Sequence, residues 1–256
     1  MAITLTRYPI TASADWVAHY AEFEAMYSPS SVETIRWAQV QANSGFNHRT
    51  GWDAARVQER HELFTAAYPE FEWGVLAESP YSLPASLGWL EGRLVSSILY
   101  WHLAPIACLW RHLNGQKVRI AEIGPGIGEL ARLAPLGLNV HHYTLIDFPE
   151  SLRFARTFLD IHSARSLLYR YMGVDQLPSS HPCEVVIDQG SMAEMPAETI
   201  NEWCRWMDDS EAKAFYSLHA PETPITLGWP VVHEVVNPAF VTLGGGTYTE
   251  RLYMRR

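Results

Sequence analysis

The chain has 256 residues, a 48% hydrophobic content that suits a globular protein, and a formal net charge of −9. With 28 acidic against 19 basic residues and no basic tract, it lacks the clustered cations of a duplex-binding surface, so no nucleic-acid partner is expected. Its cysteines, Cys108, Cys183 and Cys204, have neither metal-ligand nor disulfide-framework spacing, which fits reduced thiols and a cytoplasmic location.

The opening stretch, MAITLTRYPITASADW, lacks the apolar run of a signal peptide. Trp16, Tyr20, Phe23 and Tyr27 fall at helical spacing behind the cap candidates Ser13 and Asp15. Val57, Phe64 and Tyr68 suggest another helix, stopped by Pro69. Residues 78–89 read as a loop by their prolines, serines and glycine. The longest apolar tract, 94–110, carries His102 and Pro105 and is slightly short for a membrane span. A buried helix, bent near the proline, is expected there, and no membrane partner. The tryptophans as far as Trp110 are expected mostly in the core, with one or two free to line a pocket. Residues 1–115 therefore read as a helical cap and substrate region, and 116–256 as an α/β domain.

In that second region, candidate strands are 117–123, 142–146, 167–172, 183–188 and 213–218. Candidate helices between them include 149–162 and 196–206. The tail from Val231 reads as two strands joined across a glycine-rich connection. The expected fold class is α/β.

The stretch IAEIGPGIGEL (120–130) places Gly124, Gly126 and Gly128 directly after an apolar strand and before a helix. Glycines there let the backbone turn sharply and approach a ligand, with the helix N-terminus beyond. The dinucleotide fingerprint G-x-G-x-x-G is not matched, because Glu129 stands where its last glycine belongs. A phosphate-binding Lys-Ser/Thr is also missing. Glu122, just before the glycines, is a poor neighbour for a pyrophosphate and a good one for an ammonium or sulfonium. Asp147 ends the second strand, where an acid can accept hydrogen bonds from ribose hydroxyls. Asp188, Gln189, Ser191 and Glu194 follow the fourth strand, at the carboxyl ends where open α/β sheets bind ligands.

The glycine loop resembles motif I of the class I S-adenosylmethionine-dependent methyltransferases. Together, EIGPGIGELARL, YTLIDFPESLRFARTFL, DQGSMAEMP and YTERLYMRR resemble the sugar O-methyltransferase family, over roughly residues 70–256. Pro125 departs from the glycine common there. The resemblance implies a Rossmann-like sheet of seven strands, the last inserted antiparallel, under the helical N-terminal cap. It implies S-adenosylmethionine as cofactor, with Glu122, Gly124, Gly126 and Gly128 at its methionine end. Asp147 would take the ribose hydroxyls, Phe148 would pack near the adenine and Asp175 would approach the adenine amino group. Gln189 and Gly190 would border the presented methyl, and Ser191 and Asp188 would face the acceptor.

Methyl transfer from a sulfonium is an in-line displacement, so the protein positions the acceptor and removes its proton. A sugar hydroxyl needs a general base nearby. Glu194, His219 and His233 are the candidates. Asp188, Glu194 and His219 could converge on a cation, but no spacing requires one, and no essential metal is expected. The partner is a small-molecule acceptor, in keeping with natural product biosynthesis. Helical N-terminal segments of this type can also form a homodimer or a lid. The alternatives are a polyketide, phenol or amine as acceptor, or a non-catalytic S-adenosylmethionine-binding chain.

Overall fold

The computed structural model describes residues 56–80, 87–162, 168–178, 180–220, 222–241 and 247–256. The aromatic helix expected behind Ser13 and Asp15, and Trp16, Trp37 and Trp52, lie outside these residues.

Helix α1 (Val57–Ala67) buries Val57 and Phe64 and ends before Pro69. The loop expected over 78–89 gives way to a strand at Leu87. Strands β1 (Leu87–Leu90) and β2 (Arg93–Ser96) form an antiparallel hairpin, turned by Glu91 and Gly92 in left-handed conformations (φ 48° and 82°). The hairpin takes the start of the apolar tract, so helix α2 runs only from Leu99 to Leu113. It continues through Pro105, is buried on nearly every side, and stops where Asn114 turns left-handed. Trp73 and Trp101 are core residues, but Trp89 and Trp110 are exposed, contrary to the expectation for these tryptophans. Trp89 is the exposed position of the β1 strand of the hairpin, and Trp110 edges against Phe71 on the outer side of α2.

The remaining elements alternate: β3 (Val118–Ile123), α3 (Glu129–Gly137), β4 (Val140–Asp147), α4 (Pro149–Ile161), β5 (Tyr169–Gly173), β6 (Val185–Asp188), α5 (Ala197–Asp209) and β7 (Ala214–His219). The last strands are β8 (Val231–Val241) and β9 (Thr247–Met254). All seven strands from β3 to β9 join one sheet in the order β5-β4-β3-β6-β7-β9-β8. β9 runs antiparallel to both β7 and β8, while the other neighbours are parallel. This is the α/β sheet, last strand inserted antiparallel, that the resemblance implies.

Helices α2, α3 and α4 cover one face, where Ile120, Tyr143, Leu145, Ile187 and Tyr216 point into the larger core cluster. The opposite face packs Ala121, Val186 and Phe215 against α5, whose Ile200, Trp203, Cys204 and Met207 recur at helical spacing. Among the described residues, no helix is long and apolar enough to cross a membrane.

The start of α3 is held by a buried ion pair. Arg132 donates from Nε to Glu129 Oε2 at 2.8 Å and from Nη2 to Oε1 at 2.6 Å. Its Nη2 also donates to the Ala77 carbonyl at 2.7 Å, tying the segment before the hairpin to the helix. Their side chains are 10% and 6% exposed, so neither charge is solvated. Removing only one partner of such a pair leaves an uncompensated buried charge. Arg132→Met should therefore lower stability in urea unfolding by about 3–5 kcal/mol. A loss below about 1 kcal/mol, the scale of a surface pair, would show that the site is wet.

Candidate functional site

β3 lies inside the sheet between β4 and β6, and the strand order reverses direction there. Such a switch point opens a crevice outside the carboxyl ends of the strands. The glycine loop fills it. Gly124, Gly126 and Gly128 all have positive φ (63°, 54° and 87°), a region that L side chains avoid. Gly124 donates its N–H to Ile146 O at 3.0 Å, tying the loop to β4. On its other side, a Cβ at Gly124 would stand 1.9 Å from Ser191 Oγ, so the loops after β3 and β6 touch. Ser191 Oγ donates to the Gly124 carbonyl at 3.2 Å. Pro125 fits because only its carbonyl is used, accepting from Gly128 N–H at 2.9 Å. α3 begins at Glu129, so its first N–H groups face the loop.

Glu122 is 2% exposed and points to the α2–α3 face. Its Oε2 accepts from Tyr143 Oη at 2.8 Å. Burial pushes the carboxyl up to about 8; the Tyr143 bond opposes this, and the charges of Asp188 and Asp147 add to it. Among the described residues no cationic side chain pairs with it. A buried carboxyl next to a glycine loop with no cation of its own is suited to a positively charged ligand.

Asp147 ends β4 and is half-buried. Oδ1 accepts from Phe148 N–H at 2.7 Å and Oδ2 from Ser151 Oγ at 2.6 Å. Burial lifts this carboxyl to about 6 against both bonds. Phe148 is half-buried against the α5-side core. Asp147 lies in register with Gly173 of β5. Asp175, exposed in the short turn Val174–Gln176, bends back over Gly173, where a Cβ would meet its Oδ1 at 2.5 Å.

At the end of β6, Asp188 is fully buried. Oδ2 lies 2.8 Å from His219 Nε2, out of line with the ring N–H, and both oxygens face Met192 N–H at 3.2–3.3 Å. His219 ends β7, is 1% exposed, and its Nδ1 has no partner among the described residues. Gln189 does not hang free at the crevice. Its Nε2 donates to the Trp101 carbonyl, and its Oε1 lies 3.2 Å from His102 Nδ1. Burial pushes His102 down to about 4, so its ring is neutral; Nδ1–H then points to Gln189 and Nε2 carries the lone pair. Gly190, left-handed at φ 93°, starts the turn Ser191–Glu194. Glu194, half-buried, is one of the carboxylates beside Tyr248, with Asp188 and Glu222; burial and these charges raise the phenol. Tyr248 stands edge-on to Trp101 at 5.0 Å.

The structure thus brings Asp188, Gln189, Ser191, Glu194 and His219 to one end of the sheet, with Glu122, Asp147 and the glycines beside them. His233 is not in this group. It lies on the α2 side, 3.3 Å from Glu250 Oε1, against Tyr68 and His112. His102 and Tyr248 join the site without having been assigned to it, and Trp101 is one of the tryptophans for which the sequence leaves a pocket role open. His102 was visible only as a polar break in an apolar tract, and Tyr248 only as the first residue of the YTERLYMRR segment.

No family model and no curated protein matches the sequence. Among solved structures, a candidate RNA methyltransferase from Pyrococcus horikoshii is similar at 12% identity and a TM-score of 0.49, covering 77% of this chain and 96% of that one. Magnesium protoporphyrin IX methyltransferase from Synechocystis, solved with bound S-adenosylmethionine, gives 13%, 0.49, 62% and 80%. Precorrin-6y C5,15-methyltransferase from Geobacter metallireducens gives 18%, 0.42, 59% and 87%. At these identities and TM-scores the functional reading rests on the site itself.

The raised carboxyl has a consequence for stability. Glu122 holds its proton more tightly folded than unfolded, so the stability it contributes is full below the ordinary value of 4.5 and is lost as pH rises through about 8. Between about pH 5 and about pH 9, wild type should lose more stability in urea unfolding than Glu122→Gln, which cannot titrate. Parallel pH profiles would show that the carboxyl is already ionised at low pH.

Proposed function

We propose that this chain is an S-adenosylmethionine-dependent methyltransferase that methylates a hydroxyl of a small molecule, a sugar or a sugar-bearing compound. The observation that carries the reading is the left-handed glycine loop at the switch point, between the cation-free carboxyl of Glu122 and the strand-tip Asp147. A nicotinamide dinucleotide does not fit the same loop, because Glu129 occupies the third glycine position and is locked to Arg132.

The residues present fit the cofactor. Glu122 and the N–H groups that open α3 would hold its methionine end, and the approach to Glu122 favours positive charge. Asp147 would accept from the ribose hydroxyls, exchanging its present bonds to Ser151 and Phe148. Phe148 and Asp175 flank the place for the base. The bound cofactor supplies an activated methyl group, so no further activation of the donor is asked of the protein.

The acceptor hydroxyl must lose a proton. His219 Nε2 stands 2.8 Å from the buried Asp188 carboxylate, a charge contact rather than an aligned hydrogen bond, and Nδ1 would be the nitrogen that takes that proton. A buried carboxylate stabilises the imidazolium that forms and fixes the ring. Glu194 and Tyr248 stand beside Asp188 and would position the acceptor. The sugar assignment draws on the DFPE and SMAEM segments, at residues 147–150 and 191–195. A polyketide, phenol or amine would use the same base. The chain's acidity and lack of a basic tract favour a small molecule over a nucleic acid.

Calorimetric titration with S-adenosylhomocysteine should give micromolar binding, weakened by about 1–3 kcal/mol in Asp147→Ala, the scale for unpaired buried polar groups. No binding by the wild type would leave the loop as architecture alone. His219→Ala should abolish turnover on a panel of sugar, phenol and amine acceptors with labelled donor, yet keep its affinity for S-adenosylhomocysteine. Retained turnover would remove His219 from the mechanism, and the acceptor that is labelled decides the substrate class.

A further inference from the structure

A second polar cluster is buried below the cofactor crevice, on the face covered by α2. Cys108 of α2, His233 of β8 and Glu250 of β9 bring Sγ, Nε2 and a carboxylate oxygen within 4.8 Å of one another. His233 Nε2 lies 3.3 Å from Glu250 Oε1 and 3.4 Å from Tyr68 Oη. Tyr68 Oη donates to the same Glu250 oxygen. The other oxygen, Oε2, is buried with no partner among the described residues, and so is the hydroxyl of Tyr216, whose surroundings include Glu250, Tyr68 and Cys108.

The set is hard to explain as packing alone. Glu250 is 1% exposed and no Arg or Lys reaches it among the described residues. Arg111, the nearby cation, is spent on Glu70 and on the outer face of the Tyr68 ring. A buried carboxylate whose one candidate cation among the described residues is an imidazole is costly, and leaving one of its oxygens unbonded adds to that. Thiolate, imidazole and carboxylate are also the donor types that bind zinc, and at tetrahedral corners such donors stand roughly 3.3–3.7 Å apart. The His233–Glu250 separation already falls there.

We infer that Cys108, His233 and Glu250 form a binding site for a zinc-like divalent cation, separate from the methyl-transfer site. One thiolate and one carboxylate neutralise the ion, with His233 neutral, and binding releases the thiol proton to solvent. Tyr68 Oη, 3.4 Å from His233 Nε2 and bonded to Glu250, stands close enough to orient the fourth ligand. The ion clips α2 to the β8–β9 hairpin. It therefore braces Trp101 on the same helix and Tyr248 on the same strand, which meet at the acceptor end of the sheet.

The test needs no methyltransferase activity, so its failure would not touch the reading above. Full-length protein dialysed against chelator is titrated with Co2+ and then with Zn2+. The expected result is uptake of one Co2+ per chain with a sulfur-to-cobalt charge-transfer band, displaced by Zn2+. The band should vanish in Cys108→Ser, and zinc affinity should fall in His233→Gln and Glu250→Gln. His141 and His142, exposed and adjacent with ring centroids 4.2 Å apart, are the surface pair to exclude, so His141→Ala/His142→Ala should bind like wild type. No band in the wild type, a band that survives Cys108→Ser, or uptake lost only with the surface pair overturns the site. Should Cys108→Ser not fold, unchanged zinc affinity in His233→Gln overturns it as well.

Discussion

Glu122, Asp147 and Asp188 lie at or next to the ends of three neighbouring parallel strands, and the crowding of three carboxyl groups at one end of the sheet is the constraint around which the site is organised. Among the described residues, each is given neutral hydrogen-bond donors or an imidazole, not a lysine or arginine. Tyr143 serves Glu122, Ser151 and the Phe148 amide serve Asp147, and Met192 N–H with His219 serves Asp188. Neutral donors leave these carboxyls able to ionise against a cationic ligand, where a built-in cation would already have claimed them. The protein's fixed cations are used elsewhere: Arg132 on Glu129, Arg119 on Glu184 and Glu211.

The parts of this arrangement that depend on local chemistry were legible in the sequence. Left-handed turns demand glycine, so the loop at 124–128 announced itself, and the apolar runs of β3, β4 and β6 placed Glu122, Asp147 and Asp188 at strand ends. The seven strands with the last inserted antiparallel followed from the resemblance and match the observed sheet. What stayed hidden depends on pairs far apart in the chain. Tyr68 meets Glu250 across 182 positions, and Gln189 meets Trp101 across 88. No periodicity encodes such contacts. The β1–β2 hairpin was missed for another reason: Glu91 turns left-handed without being Gly, Asn or Asp, so only Gly92 marked the turn.

α2 joins what the sequence kept apart. One end presents Trp101 and His102 to Gln189 and Tyr248; a turn or two further on, Cys108 meets His233 and Glu250. Because the helix is buried on nearly all sides, its amphipathic signal was weak, and the apolar tract concealed which face touched what. A shift of this helix along its axis would be felt at both clusters, since neither can move independently of it.

The Glu129–Arg132 pair also bears on how this fold could change its ligand. Dinucleotide-binding and sulfonium-binding loops differ by little more than the spacing of their glycines, which invites the idea that one could be converted to the other by placing glycine at 129. Here that position is a wall stud. Glu129 holds Arg132, Arg132 holds the Ala77 carbonyl, and with it the segment that leads into the hairpin. A change of glycine spacing would have to rebuild that whole connection at once, so no single substitution converts this loop into the dinucleotide pattern.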